Sequence, residues 1–478
     1  MPDKEPWDLR RYVQEMTKAG ELKVVENADW NLEIGALTDL NAKKRGPALL
    51  FDEIKDYPKG YRVLSCMLSG PKRLSYVLGF EPTSDHGKLV SQLQGKPGLW
   101  EEHSKDFAPK VVNDSPLMKN AYTDSSKIDL FKFPSPKWHE ADGGRYIGTG
   151  GAVITRDPET GVINAGTYRM MVHEKDVVAL QIQKYHHGSV NIAKYHSKGE
   201  PCPVVLSFGH DPLLYVAACL PIPYGISEFN YAGAVRKEPV EVLEGKVTGL
   251  PIPASSEIAA EGFIYPNDLV EEGPFGEFTG YYAGERALRP AVRLKALYHR
   301  DDPIILGSLP GKPPFDHSYW RTVVESALVK DKLQKTGIPG VLGVWKHEAS
   351  CSYFWTVVSI RQQYPGHAKQ AGVVAAQCMP GYGRYVIVVD DDIDPSDLQE
   401  VIWAISTRSD PASGIDIIHN ATTGSLDPMV KKPASVYTSS RAVIVACRPF
   451  EWKDKFPRVV EVSNELKSKI ASKWPDLV

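Results

Sequence analysis

SEIAAEGFI (256–264) and AVRLKALYH (291–299) have the texture of strands. Each is short, rich in apolar or β-branched residues, and bounded by turn formers. GAVITR (151–156), VVALQIQ (177–183), PVVLSFG (203–209) and VEVLEG (240–245) repeat the pattern. Six such runs between residues 128 and 309 predict a barrel or sandwich at the centre of the chain.

Outward from that block the texture changes. Toward the N-terminus, Leu9, Tyr12, Val13 and Met16 share one helical face, and Gly20 ends the helix. The polar stretch 83–114 reads as a linker or a frayed helix. Beyond residue 320, TVVESALVKDKLQ (322–334) reads as helix and YVIVVDDDID (385–394) as a buried strand ending in acids. SDLQEVIWAIST (396–407) reads as an amphipathic helix with Leu398, Val401, Ile402 and Ile405 on one face. This βα alternation predicts an α/β unit. The final helix, SNELKSKIASKW (463–474), carries a stripe of Val462, Leu466, Ile470 and Trp474. That stripe needs a cover, either its own domain or a partner subunit.

Composition narrows the classes. The 478 residues suggest two to four domains. Hydrophobic residues make up 42% and charged residues 24%, as in soluble globular proteins. A net charge of −3 lacks the footprint of a nucleic-acid binder. The six cysteines form no CxxC pair, which points away from a zinc knuckle and toward buried thiols in a reducing compartment. MPDKEPWDLRRYVQEM shows no apolar signal core, and the run around Leu213–Leu220 is far short of the ~20 residues that span a bilayer. A cytoplasmic protein with no nucleic-acid or membrane partner is expected.

Four segments could carry chemistry. In EEGPFGEFTGYY (271–282), Glu272 and Glu277 are five apart, so neither a helix nor a strand aims both one way. Gly273, Pro274 and Gly276 instead predict a tight loop, which can bring both carboxylates into one cavity and push one pKa toward neutrality. A solvated surface loop is the alternative. In VINAGTYRMMVHEKD (162–176), Arg169 sits in an apolar strand pattern and needs an anionic partner, either a carboxylate substrate, one of the glutamates, or an edge salt bridge. KYHHGS (184–189) offers His186 and His187, and LPIPYGISEFNYAGA (220–234) offers Glu228. With the Asn164 carboxamide, one His and one Glu would suit Mn²⁺ or Mg²⁺. Walker, Rossmann, GxSxG and HExxH motifs are missing.

Taken together and in order, HEADGGRYIGT, NAGTYRMMVH, PIPYGISEFNYAGA, IPASSEIAAEG, EGPFGEFTGYY, QQYPGHAKQ, VIVVDDDIDP and VIWAISTRSDP, with the histidine of KYHHGS, resemble the UbiD family of decarboxylases that use prenylated FMN. The resemblance covers nearly the whole chain and is nearer the hydroxybenzoate and vanillate types than the cinnamate type. It implies an α/β (α+β) fold: an N-terminal α/β domain (1–115), a central split β-barrel that binds the flavin (116–320), and a C-terminal α/β oligomerisation domain (321–478). It implies reversible, non-oxidative loss of CO₂ from an aromatic or heteroaromatic acid. Carboxylation within an aromatic-degradation complex, or a non-catalytic flavin-binding subunit, are the competing readings.

The family's roles carry over by position. Arg169 holds the substrate carboxylate with Glu272, and Glu277 delivers the proton. Asn164, His187 and Glu228 bind the divalent metal that meets the flavin phosphate. Thr167, Tyr168, Ala218, Leu220, Pro221 and Arg384 complete the cofactor contacts, although relatives often have Lys at the last. A second site for K⁺ would use Ala217, Ala218, Leu220, Glu228 and Arg408. His186, Phe278 and His317 are the expected substrate lining, with Asp316 and Arg321 beside His317; the alternative for this group is a capped helix start. A flavin prenyltransferase is the implied cofactor supplier, and the assembly is expected to be a homodimer or homohexamer.

Overall fold

The structure is a computed structural model that describes residues 7–282, 284–378, 381–430 and 436–475. Its largest sheet has nine antiparallel strands curved into a half-barrel. Their order is Arg145–Tyr146, Arg169–Glu174, Val177–Gln181, Ala287–His299, Ile258–Glu272, Cys202–Phe208, Ala152–Arg156 and Ile163–Gly166, with Asn120–Tyr122 branching onto Ala287–His299. The spine is the hairpin of Ile258–Glu272 and Ala287–His299, whose register runs from Ile258 opposite His299 to Glu272 opposite Ala287. The register shifts at Glu261/Gly262, where a side chain on Gly262 would lie 2.4 Å from the Arg293 carbonyl oxygen. Such a bulge re-aims the strand and needs glycine. The inner face buries Val153, Leu206, Phe208, Ala260, Val292 and Leu294.

The N-terminal sheet orders Leu22–Glu26, Ala48–Asp52, Arg62–Ser65 and Ile304–Leu306. The last strand follows the barrel in sequence and pairs in parallel with Arg62–Ser65, so it stitches the two regions together. The C-terminal sheet orders Val341–Lys346, Trp355–Ile360, Tyr385–Asp390, Thr438–Ala446 and Ile415–Thr422. Helices Ser318–Lys335 and His367–Cys378 share one of its cores, and Leu398–Arg408 packs into another. All six cysteines are free, and among the described residues no helix is long and apolar enough to cross a membrane.

Several expectations change. The stretch 83–114 holds two short helices, His86–Leu93 and Lys96–His103, that bury Leu89, Leu93 and Trp100. Three apolar anchors in two short helices are too few for a clear periodic signal. VEVLEG forms the strand Glu241–Glu244, but in a separate three-stranded sheet with Pro251–Pro253 and Lys110–Val111. On Leu398–Arg408 the buried residues are Val401, Ala404 and Arg408, while Leu398 and Ile402 are 38% and 52% exposed. The helix is rotated because Arg408 pairs with Asp390 and Asp392 at the end of the neighbouring strand. Among the described residues nothing fully buries a side chain of the final helix, Asn464–Lys473. Val462, Leu466 and Trp474 are 48%, 46% and 41% exposed and Ile470 is half-buried, so the described part of the domain leaves most of that stripe uncovered.

Gly262→Val should lower the melting temperature by at least about 4 °C, for a loss of roughly 2 kcal/mol. An unchanged melting temperature would mean that the two spine strands part freely there.

Candidate active site

Arg169 opens the strand Arg169–Glu174, and Glu272 closes the strand Ile258–Glu272. The barrel brings the two ends together. Arg169 Nε donates to Glu272 Oε1 at 2.7 Å and Nη2 donates to Oε2 at 3.0 Å, a bidentate pair. Its third nitrogen, Nη1, donates to Glu277 Oε1. One guanidinium thus holds both glutamates, and the five-residue spacing is resolved by the turn between them. Gly273 adopts φ +86°, which a side chain would strain. The Gly280 N–H then donates to the Glu277 carbonyl at 2.9 Å, and the Glu277 N–H donates to the Tyr281 carbonyl at 3.0 Å.

A second loop backs this turn. The Gly143 N–H donates to the Pro274 carbonyl at 2.8 Å, and the Gly276 N–H donates to Asp142 Oδ1 at 3.1 Å. A Cβ on Gly143 would lie 1.9 Å from the Gly273 carbonyl oxygen, so only glycine permits the approach. The glycine-rich segment HEADGGRYIGT is therefore a buttress. It also supplies Tyr146, whose hydroxyl donates to Glu272 Oε1 at 2.8 Å. Arg289 Nε lies 3.9 Å from Glu272 Oε2, and the Phe275 ring lies 5.1 Å from the Arg169 guanidinium carbon.

All three charged side chains are buried: the relative exposure of the side chain is 10% for Arg169, 1% for Glu272 and 10% for Glu277. Burial raises the Glu277 pKa; Arg169 pulls it down and the Glu272 charge pushes it up again, leaving it raised. Burial opposes the Arg169 charge, but Glu277 and Glu272 outweigh it and hold the guanidinium protonated. One cation thus faces two buried carboxylates, and of the two it is Glu277 whose pKa is displaced upward.

A second cluster lies on neighbouring elements. Glu228 begins the helix Glu228–Arg236 and is 4% exposed. It accepts from Asn164 Nδ2 at 2.9 Å and from the Ala165 N–H at 2.7 Å. Burial pushes its pKa up to about 7. Asn164 Oδ1 is buried without a hydrogen-bond partner. His187 opens the helix His187–Ser197, and a Cβ on the next residue, Gly188, would come within 3.3 Å of Asn164 Oδ1. Burial lowers the His187 pKa and so favours the neutral imidazole, the form that ligates metals. Tyr224 meets its ring edge-on at 5.2 Å. An orphaned carboxamide oxygen, a buried carboxylate and a neutral imidazole fit a hard divalent cation. Among the described residues no three His, Cys, Asp or Glu side chains gather, because the third donor here is a carboxamide.

Other expected residues fall as follows. The Thr167 N–H donates to the Ala218 carbonyl at 3.0 Å, and Thr167 Oγ1 is buried without a partner. The Ala217 and Leu220 carbonyls already accept from the Leu220 and Ile222 N–H groups, and Pro221 is half-buried beside them. Tyr168 is buried, with its hydroxyl 3.4 Å from the Gly188 nitrogen, and its ring meets the exposed His186 edge-on at 5.7 Å. Arg384 pairs with Asp427, and Arg408 pairs with Asp392 at 2.7 Å and Asp390 at 3.2 Å. Neither of these two arginines makes a contact with Asn164, His187 or Glu228.

Phe278 is buried against Tyr353 and Tyr382 of the C-terminal region, at ring distances of 4.6 and 5.2 Å. His317 precedes the helix Ser318–Lys335 without capping it; its Nδ1 instead pairs with Ser308 Oγ at 2.8 Å. Beside Glu277, a cleft of about 1090 Å³ is lined by Thr279–Tyr281, Thr322, Arg45, His86 and Trp345 among others, although not by the triad itself. Tyr146, Arg289, Tyr353 and Tyr382 were not signalled individually. Tyr146 lay inside a quoted motif, whereas the C-terminal tyrosines had no pattern to reveal them.

The chain belongs to the UbiD family. Residues 13–93, 110–313 and 318–446 match, respectively, the N-terminal, Rift-related and C-terminal domains of 3-octaprenyl-4-hydroxybenzoate carboxy-lyase. An uncharacterized protein of Archaeoglobus fulgidus is 32% identical over 98% of both chains. Among solved structures, vanillic acid decarboxylase of Sedimentibacter hydroxybenzoicus in closed form is 28% identical, with TM-score 0.85 over 98% of this chain and 99% of that one. The UbiD-class enzyme HmfF of Pelotomaculum thermopropionicum in complex with FMN is 26% identical, with TM-score 0.84 over 97% and 99%. An evolved dimeric form of HmfF has been solved with prFMN. The chain is thus a carboxy-lyase of the UbiD class with an FMN-binding fold.

A carboxyl ¹³C titration should place Glu277 above the ordinary glutamate value, and Arg169→Met should move it higher still. Since the folded state then binds the proton more tightly, stability from this group is greatest at low pH and declines as pH rises through the folded value. A value at or below the ordinary one would contradict the electrostatic account.

Proposed function

We propose that this protein catalyses reversible, non-oxidative decarboxylation of an aromatic or heteroaromatic acid, with prenylated FMN as cofactor. The observation that carries this is the single guanidinium shared by Glu272 and Glu277. An aryl carboxylate loses CO₂ slowly because the electron pair left on carbon has no sink. When bound, prenylated FMN supplies that sink.

The chain's own residues do the rest. Glu272 fixes the Arg169 plane from two sides, and Tyr146 fixes Glu272. The Nη1 arm that reaches Glu277 is the one free to share with the substrate carboxylate. Departure of CO₂ removes that negative charge, and Glu277, whose pKa is raised by burial and by the Glu272 charge, gives its proton to the vacated carbon. The buried site keeps water from competing. The reaction consumes one proton per CO₂ released.

In this reading Asn164, His187 and Glu228 would hold Mn²⁺ or Mg²⁺, which would supply positive charge for the flavin phosphate. Thr167, Tyr168, Ala218, Leu220 and Pro221 line the cofactor. The K⁺ site at Ala217, Leu220 and Arg408, and a phosphate role for Arg384, have less support, because both arginines are engaged elsewhere. His186, Phe278 and His317 line the substrate side. The domain bounds at about 115 and 320 belong to the same reading, with Ile304–Leu306 exchanged into the N-terminal sheet. So do a cytoplasmic location, supported by six free thiols, and a flavin prenyltransferase as supplier. The exposed Val462–Trp474 stripe supports a homo-oligomer, dimer or hexamer.

Glu277→Gln should cut turnover by roughly 10²–10⁴-fold while the flavin absorbance stays with the protein. Full activity in that variant would remove Glu277 as the proton donor. His187→Ala should release both Mn²⁺ and flavin on gel filtration, and retention of both at wild-type levels would overturn the metal assignment. Leu466→Glu combined with Trp474→Glu should yield a smaller species in sedimentation with unchanged circular dichroism. An unaltered sedimentation coefficient would place the interface elsewhere.

A further inference from the structure

Three segments carry the residues of the Glu228 cluster. The strand Ile163–Gly166 bears Asn164, the helix His187–Ser197 opens on His187, and the loop after Leu220 leads into Glu228. All three are tied to one buried carboxylate, Asp157, which is 2% exposed. Asp157 stands in the turn that follows the strand Ala152–Arg156. Its Oδ1 accepts from the Glu159 N–H at 2.9 Å and from the Thr160 N–H at 3.4 Å. Its own N–H donates to the Val162 carbonyl at 2.9 Å, which closes the turn into Ile163–Gly166. Its Oδ2 accepts from Lys194 Nζ at 2.8 Å and from the Tyr224 hydroxyl. Lys194 belongs to the helix that opens on His187, and Tyr224 lies four residues before Glu228.

His187, Asn191 and Lys194 recur at i, i+4 and i+7, so they share one face of that helix. The face is seated on the strand Ala152–Arg156 and its turn, because Asn191 Nδ2 donates to Thr155 Oγ1 at 3.0 Å while Lys194 reaches Asp157. Thr155 stands opposite Asn164 in the hairpin register, and opposed residues point to the same side of a sheet. The helix therefore lies on the side of the hairpin that carries Asn164, with His187 one turn before Asn191. Tyr224 adds a second restraint. Its hydroxyl is held by Asp157 and accepts from Lys194 Nζ at 3.3 Å, and its ring meets the His187 imidazole edge-on at 5.2 Å. Tyr224 is 52% exposed, so this hydroxyl contact rather than packing fixes it. Lys194 also pairs with Glu159 of the same turn at 2.7 Å. Burial opposes the Asp157 charge, but Lys194, Tyr224 and the turn amides outweigh it and hold the pKa below the ordinary value.

We propose that Asp157 is the positioning residue of the divalent-cation cradle, and that it sets the His187 imidazole against Asn164 and Glu228 by clamping Lys194 and Tyr224. This rests on the metal reading of Asn164, His187 and Glu228. Asp157 and Lys194 hydrogen-bond to none of those three, so each acts through the elements it joins. Groups that orient the ligands of a metal from behind are worth about 10–100-fold in metal affinity. One carboxylate here does this for a strand, a helix and a loop at once.

The test is calorimetric binding of Mn²⁺ to the full chain, loaded with FMN and stripped of metal by chelation. Wild type is compared with His187→Ala, Asp157→Asn, Lys194→Met and Lys194→Arg. Asp157→Asn keeps an acceptor for the turn amides and removes the negative charge; Lys194→Met removes the cation that charge holds. Both should weaken Mn²⁺ binding by about 10–100-fold. Lys194→Arg restores the cation and should recover most of the loss, which a merely structural defect would not show. Weak binding in His187→Ala with wild-type affinity in Asp157→Asn and Lys194→Met would overturn the proposal and leave the metal reading standing. A loss in Lys194→Met that Lys194→Arg does not relieve would overturn it too. Absence of Mn²⁺ binding in the wild type, or wild-type affinity in His187→Ala, would remove the metal reading and the proposal with it. Lys194 is only half-buried, so its two variants decide the matter even if Asp157→Asn does not fold.

Discussion

The Arg169 guanidinium joins parts of the chain about a hundred residues apart. Its two arms on Glu272 lock the first residue of one barrel strand to the last residue of another, and its third arm reaches over the turn to Glu277. Much else follows from keeping that contact dry. The spine hairpin shifts register at Gly262 and again before Leu269 on its way to Glu272, and Gly143 must lack a side chain so that the buttress can close on Gly273. Tyr146 must donate to Glu272 so that a buried carboxylate is not left under-satisfied. Removing any of these leaves charge buried without its full set of partners, which costs more than the interaction itself contributes.

The same logic separates the two buried carboxylate sites. In the triad the cation is supplied by the protein, and burial together with the Glu272 charge raises the Glu277 pKa. At Glu228 the described residues supply only neutral donors, Asn164 and the Ala165 N–H, while Asn164 Oδ1 is buried without a hydrogen-bond partner. A missing positive charge there is what a divalent ion provides. One fold thus pairs one buried carboxylate cluster with an internal cation and leaves the other with neutral donors only.

How far this could be read beforehand depended on the kind of signal. The central strands were legible because each run is short, rich in apolar or β-branched residues and bounded by turn formers, and the first helix because its stripe is regular. The helices at 86–103 were not, since their few anchors pack against Ser318–Lys335 rather than forming a stripe. The helix 398–408 was turned by a salt bridge, and hydropathy cannot register that. Within the site, Arg169, Glu272 and Glu277 were legible as residues that need partners, but their convergence is a property of barrel closure. Arg384 and Arg408 show the converse: their acidic partners, Asp427, Asp390 and Asp392, lie within the C-terminal region and capture them there.

The central claim is that Glu277 moves the proton at the carbon that carries the carboxylate. If the proposed reaction runs in both directions, the decarboxylated product held in the flavin-loaded enzyme in D₂O should exchange its ring hydrogen at that position. The account predicts exchange, followed by NMR, in the wild type and its loss in Glu277→Gln with the product still bound. Exchange that persists at the wild-type rate in Glu277→Gln would contradict it.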